Sequence, residues 1–155
     1  MTERQVPLPD RRATKLLARA VSRQLAPGDL FVLTGPLGAG KTFFVRAVCR
    51  AMGLDRSVRV TSPTFTLVNE YATVPPLVHA DLYRLDATSP EATSDPTLFA
   101  LAEQRDEGRV LFVEWGGPFI DMLGGDAILI DLTVTPRSAH ITATGPRSRE
   151  RVEAL

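Results

Sequence analysis

Cysteine occurs once in the chain, at Cys49, so no intrachain disulfide can form. Its helical neighbours are apolar, and a buried, unreactive thiol is expected. Net charge is also missing, because eighteen basic residues balance eighteen acidic ones. That balance excludes a broad basic footprint for nucleic acid, and any contact with RNA is expected to be indirect or local. No apolar stretch approaches the roughly 18 residues that a membrane-spanning helix needs. The first residues, Met1 to Arg12, are polar and punctuated by proline, with no apolar targeting core. A soluble, cytoplasmic protein without membrane contact is the expectation. Lysine is nearly absent, since Lys15 and Lys41 are the only two. One of them stands inside a glycine-rich loop.

The 155 residues fit a single domain, 1–155, and 44% apolar residues suffice for a core. Asp10 reads as a helix N-cap, followed by an apolar stripe through Ala13, Leu16, Leu17, Ala20, Val21 and Leu25. Pro27-Gly28-Asp29 ends that helix, and Leu30 to Thr34 reads as a buried strand. A second helix is expected from about Lys41 to Met52, with Gly53 closing it. Further strands are expected at Val58–Thr61, Leu67–Tyr71, Leu77–Tyr83, Val110–Val113, Ile128–Thr133 and Ala139–Ala143. The second and third of these form an antiparallel hairpin. Asp86 to Pro96 reads as a mobile loop, Thr97 to Glu107 as a short helix, and 146–155 as a charged tail, frayed or helical. This order predicts an α/β fold of the P-loop NTPase type, three-layered, with a mixed sheet of parallel core and antiparallel additions.

Gly35-Pro36-Leu37-Gly38-Ala39-Gly40-Lys41-Thr42 matches the phosphate-loop pattern in full, between a strand and a helix. Glycines permit a tight turn whose backbone N–H groups face inward, and the following helix adds the positive end of its dipole. Lys41 supplies a mobile charge for the β- and γ-phosphates, and the Thr42 hydroxyl suits Mg²⁺. Phe43, Phe44, Val45 and Val48 read as core, with Phe43 also grouped with the nucleotide-binding residues.

Magnesium favours one or two carboxylates beside phosphate oxygens. Glu114, at the end of Val110–Val113, holds the position of a Walker-B acid, and Asp81 ends Leu77-Val78-His79-Ala80. His79 and Asp81 share a strand face, which suits His79 to stand behind Asp81. Lys41, Asp81 and Glu114 are the catalytic candidates, and Thr42, Glu114 and Asp81 the metal candidates. Ser62-Pro63-Thr64-Phe65-Thr66 is either an ordinary polar turn or a nucleotide-sensing switch. Trp115 is either a core anchor or a nucleotide contact.

Four ordered motifs carry a resemblance: the phosphate loop, then Thr61 through Tyr71 (TSPTFTLVNEY), then His79 through Leu85 (HADLYRL), then Val113-Glu114-Trp115. Together they resemble the TsaE (formerly YjeE) family over roughly residues 10 to 145. The resemblance implies a Mg²⁺-dependent ATPase, binding ATP and ADP, of low intrinsic turnover. It implies a requirement in the N6-threonylcarbamoyladenosine (t6A) modification of tRNAs that read ANN codons. The implied partners are TsaD and TsaB, with tRNA engaged indirectly and the free protein a monomer. It carries Thr42 and Glu114 to magnesium-binding positions and Asp81 to an essential acid near the metal. Thr14 matches a position near adenine, Trp115 a tryptophan beside the nucleotide, and Arg137 an arginine of the last strand pair. Between Leu85 and Arg109 the chain departs from the family's more regular acidic helix.

Two other functions compete. A small-molecule kinase would need an arginine-bearing lid, for which only Arg105 and Arg109 are placed. A nucleotide-gated assembly module would bind partners without significant turnover. No guanine-reading N-K-x-D tetrad occurs, which leaves ATP as the expected nucleotide.

Overall fold

A computed structural model describes residues 2–64 and 66–155. Seven strands form one mixed sheet: β1 (Glu3–Pro7), β2 (Leu30–Thr34), β3 (Val68–Tyr71), β4 (Leu77–Asp81), β5 (Val110–Glu114), β6 (Ala127–Val134) and β7 (Arg137–Ala143). Their spatial order is β1-β7-β6-β2-β5-β4-β3. The central strands β6, β2, β5 and β4 run parallel. Antiparallel pairing adds β7 and β1 at one edge and β3 at the other. The sheet is the mixed, parallel-cored one that the sequence predicts.

The central strands β2, β4 and β5 read as continuous apolar runs because both faces of the sheet are covered. Alternate residues divide between two cores. Phe31, Leu33 and Phe112 pack under α1 (Arg11–Gln24) and α2 (Lys41–Ala51). Leu30, Val32, Leu111 and Val113 pack under α3 (Pro96–Asp106) and the short 3-10 helix Gly117–Phe119. Phe31 and Phe112 stack with ring centroids 4.4 Å apart, and Phe44 meets Phe112 at 6.4 Å. Cys49 is fully buried here, and burial pushes its thiol up to about 12.

Helix ends explain several boundaries. Asp10 caps α1 by accepting from the Ala13 N–H at 2.8 Å. Asp95 caps α3 through the Thr97 N–H at 2.8 Å, with Pro96 in the first turn. No side chain caps α2, whose N-cap is Gly40 in the left-handed region (φ 103°). Gly53 closes it with φ 92°.

Three points need correction, and one open alternative is resolved. β1 was not foreseen: it is an exposed edge strand ending in Pro7, and only Val6 is even half-buried, so it carries no alternation signal. Val58–Thr61 forms no strand, because side chains take its carbonyls. Arg50 donates to Val58 O at 2.6 Å, Arg46 to Val60 O at 3.2 Å, and Asn69 to Thr61 O at 3.2 Å. Asp86–Pro96 is not irregular throughout, since Pro90–Ser94 forms a 3-10 helix capped by Ser89. Of the two readings of the tail, helix holds: α4 (Pro146–Glu153) buries Val152. Its first amides, Arg147 and Ser148, donate to the Asp126 carboxylate at 2.9 and 2.8 Å.

Arg105, the first of the two supposed lid arginines, is buried in α3 and points inward. Its guanidinium donates to four backbone carbonyls: Gly28 at 2.7 Å, Leu123 at 2.7 Å, Gly125 at 2.6 Å and Asp126 at 3.1 Å. It ties α3 to the turn before β2 and to the turn before β6. Replacing it by Met keeps the volume and strands those acceptors. We expect Arg105→Met to lower unfolding free energy by about 2–5 kcal/mol in urea titrations. A loss under about 0.5 kcal/mol would remove this role.

Candidate functional site

The strand register assembles the site. Leu33 on β2 lies beside Glu114 on β5, and Glu114 lies beside Asp81 on β4. Both acids therefore stand at the same level, at the carboxyl ends of neighbouring parallel strands and next to the loop that leaves β2. This is the edge at which open α/β sheets bind ligands.

The loop needs glycine at two points for different reasons. A Cβ on Gly35 would come within 2.5 Å of Leu132 O, and its φ is 142°. Gly40 has open space around it, but φ 103° strains any L side chain. The result is a helix start whose backbone amides have no capping side chain, an arrangement suited to an anion. Lys41 Nζ donates to Gly35 O at 2.6 Å and lies 3.6 Å from Glu114 Oε1.

Glu114 is buried and held from two sides. His79 Nε2 donates to its Oε2 at 2.8 Å, and Lys41 faces its other oxygen. His79 therefore stands behind Glu114, not behind Asp81 as the sequence suggested. The His79 ring is fully buried, and its Nδ1 has no hydrogen-bond partner among the described residues. Burial pushes the Glu114 carboxyl up, but the hydrogen bond and charge interaction with His79, then Lys41, outweigh it. The net position is below the ordinary 4.5.

Asp81 is also buried. It accepts from the Tyr83 N–H at 2.9 Å and from the Thr64 hydroxyl at 3.4 Å. Thr64 in turn shares a 2.7 Å hydrogen bond with Ser62, so the Ser62–Thr66 segment leans on this acid. Phe65, part of that segment, lies outside the described residues. Leu67 beyond it has φ 67°, and its carbonyl accepts from the Asp81 N–H at 2.9 Å.

One cleft of about 950 Å³ brings together the loop residues Gly35, Pro36, Leu37, Gly38, Gly40, Lys41 and Thr42 with Ser62, Thr64, Asp81, Tyr83, Glu114 and Trp115. A second, of about 340 Å³, lies across the loop and joins Thr14, Arg137, Phe43, Gly38 and Ala39. Arg137 donates to Gly38 O at 3.4 Å. Phe43 lines both clefts and is only half-buried, so it does not share the core position of Phe44. The Leu37 side chain is fully exposed at the loop tip, leaving its backbone to face the cleft. Trp115 is 54% exposed, which rules out the core reading. Its backbone is left-handed (φ 60°), a costly state for a bulky residue, and its ring meets Tyr83 edge-on at 5.2 Å. Tyr83 and Asp131, which accepts from Thr34 at 2.9 Å, were not singled out in the sequence. Tyr83, just beyond β4, lines the larger cleft, whereas Asp131 on β6 lies beside Thr34 and lines neither.

Among the described residues no group of three His, Cys, Asp or Glu side chains is placed to hold a metal unaided. The metal donors that the cleft offers are oxygens, chiefly the Asp81 and Glu114 carboxylates and the hydroxyls of Thr42, Ser62 and Thr64. That set fits a hard ion shared with phosphate oxygens and water, as Mg²⁺ is.

A buried strand, a glycine loop, an uncapped helix start and two acids in register define a phosphate-binding-loop α/β protein. The family model described as "Threonylcarbamoyl adenosine biosynthesis protein TsaE" matches residues 8–141. The chain belongs to the TsaE family. It is 41% identical over 146 residues to the tRNA threonylcarbamoyladenosine biosynthesis protein TsaE of Bacillus subtilis, covering 92% of this chain and 87% of that one. The protein of the same name from Aquifex aeolicus is 40% identical over 106 residues, covering 67% and 80%. That from Streptomyces coelicolor is 34% identical over 137 residues, covering 83% and 88%. The crystal structure of Bacillus subtilis YdiB superposes with a TM-score of 0.79 at 28% identity, covering 99% of this chain and 94% of that one. No helix among the described residues is long and apolar enough to cross a membrane.

The lowered Glu114 pKa has a signed consequence. A carboxylate whose folded pKa lies below its unfolded value contributes stability above the unfolded value, and loses it as pH falls through the folded one. The advantage of wild type over Glu114→Gln in urea titrations should be full at about pH 6 and shrink below 4.5. A difference that grows on acidification would contradict the assignment.

Proposed function

We propose that this chain is the Mg²⁺-dependent ATPase of the t6A pathway, acting as one domain with TsaD and TsaB in modifying tRNAs that read ANN codons. The reading is carried by one observation: the uncapped glycine start of α2 faces two carboxylates held at one level by strand register. Family membership supports the pathway and its setting in the cytoplasm. The free protein works as a monomer.

The amides of Gly35–Thr42 bind the phosphate tail, and Lys41 leaves Gly35 O to neutralise the β- and γ-phosphates. Thr42, Glu114 and Asp81 would hold the metal, which would supply positive charge beside the phosphates. Glu114, fixed by His79, keeps its orientation without depending on solvent. Asp81 orients the attacking water, and its contact with Thr64 links it to the Ser62–Thr66 segment. Thr14, Phe43 and Arg137 receive the base end of ATP or ADP across the loop. Trp115 and Tyr83 border the phosphate side. The described residues place no arginine beside Lys41, Asp81 and Glu114 in the phosphate cleft. Slow intrinsic turnover that rises in the complex follows. The kinase alternative loses its support, because Arg105 is spent on backbone carbonyls and Arg109 pairs with Glu107.

Reconstitution with TsaB, TsaD, tRNA and ATP should give modified adenosine over many turnovers. Glu114→Ala should cut phosphate release by about 100-fold or more while nucleotide still binds. Wild-type rates in that variant would end the catalytic assignment. Modification sustained by the variant at an undiminished rate would favour a nucleotide-gated assembly module. Trp115 fluorescence should change on saturation with Mg·ADP, and an unchanged spectrum would separate this residue from the nucleotide.

A further inference from the structure

The charges of this chain cancel in total but do not mix. Residues 11–59 carry ten basic residues against two acids, Asp29 and Asp55, and residues 70–131 carry twelve acids against three basic residues. The net values are +8 and −9. The helices of these two segments lie on opposite faces of the sheet, α1 and α2 on one and α3 and the short 3-10 helices on the other, while Glu70, Asp81, Glu114 and Asp131 lie on the strands.

On the basic face the cations gather around one cleft of about 470 Å³. Lys15 and Arg19 stand one turn apart on α1, Arg46 and Arg50 one turn apart on α2, and Arg56 closes the end from the following loop. Arg50 donates to Asp55 O at 2.8 Å and Val58 O at 2.6 Å, and Arg46 donates to Val60 O at 3.2 Å. These bonds fold the 54–60 loop onto α2 and bring Arg56 to the cleft. Among the described residues none of the five cations forms an ion pair with a carboxylate. Elsewhere in the fold arginines do find acids: Arg147 and Arg151 both pair with Asp29, at 3.0 and 2.8 Å. Five neighbouring like charges repel one another, and the Asp55 carboxylate near Arg50, which makes no ion pair with it, offsets them only in part.

We propose that this α1/α2 cleft binds the phosphodiester backbone of RNA directly, on a surface that adjoins the nucleotide clefts at Phe43 but draws its cations from outside them. Paired rows of cations about 6 Å apart match a chain of repeated monoanions better than the scattered carboxylates of a protein. Four of the five are arginines, whose planar forks suit phosphate oxygens. The relatives described above are named as tRNA threonylcarbamoyladenosine biosynthesis proteins, so a tRNA is the natural occupant. Contact with RNA is then local, as overall neutrality requires, but direct. The proposal does not depend on ATP hydrolysis.

The test is fluorescence anisotropy of the full chain with a labelled tRNA transcript at about 50 to 200 mM salt. Wild type should bind, with log Kobs falling against log salt at a slope of about −3 to −4. Lys15→Glu/Arg19→Glu/Arg56→Glu should lose about tenfold or more in affinity and about 2 in slope, with basal ATPase rate unchanged. Lys15→Gln/Arg19→Gln/Arg56→Gln should fall between, which guards against a folding defect in the triple glutamate chain. Absence of tRNA binding by wild type at about 50 mM salt overturns the proposal. So does wild-type affinity in both triple variants. Self-association in sedimentation velocity that the variants abolish, without tRNA binding, would assign the cleft to the acidic face of a second copy. Loss of a purified acidic partner protein, again without tRNA binding, would assign it to that protein. Both results overturn the proposal. Failure of ATP hydrolysis with salt-dependent tRNA binding intact would sink the enzymatic reading and leave this one standing.

Discussion

Leu33, Glu114 and Asp81 lie side by side across β2, β5 and β4, and the arrangement of the site depends on that register. In a sheet covered on both faces, a slip of one residue would turn each side chain to the opposite layer. Phe31, Leu33 and Phe112 would then exchange places with Leu30, Val32 and Leu111, and two well-packed cores would be lost. The packing that fixes the strands thus also fixes the level at which the two carboxylates end. Their buried positions cost free energy, which His79, Lys41, Thr64 and the Tyr83 amide offset by bonding to them.

Beside those acids, α2 begins differently from α1 and α3. Each of the latter has an aspartate cap, whereas α2 starts on Gly40 with no side chain over its first amides. Leaving a helix start open is unfavourable within the protein alone and favourable once an anion arrives. Strain collects around the same edge. Leu67 and Trp115 adopt left-handed backbone without being glycine, one behind the Ser62–Thr66 segment and the other directly after Glu114.

The sheet also acts as a partition. It stands between the helices of a basic segment and those of an acidic one in a molecule whose formal charge is zero, so composition conceals a strong internal asymmetry. Within each layer the arginines have contrasting uses. Arg105 is consumed by carbonyls, Arg147 and Arg151 by Asp29, and Arg46 and Arg50 shape a loop while remaining without an acid.

Much of this was legible from residue order. The strand, glycine loop and helix at 30–52, the antiparallel hairpin and the acid after β5 all follow from local patterns. Such features are encoded by neighbours in sequence: apolar runs, a glycine where φ must be positive, a proline where helix cannot continue. Other features were decided by partners far away in the chain. β1 exists because β7 offers it an edge, and α4 is capped by Asp126 twenty residues upstream. His79 on β4 serves Glu114 on the neighbouring β5, Arg105 turns inward to satisfy carbonyls from two turns, and Val58–Thr61 gives its carbonyls to side chains instead of a ladder. Sequence alone determined where the phosphate-loop pattern and its candidate acids stand, because that depends on residue type and short spacing. Only the tertiary structure decided which of them meet and which are already committed, because hydrogen bonds and charge pairing are settled by distance in space.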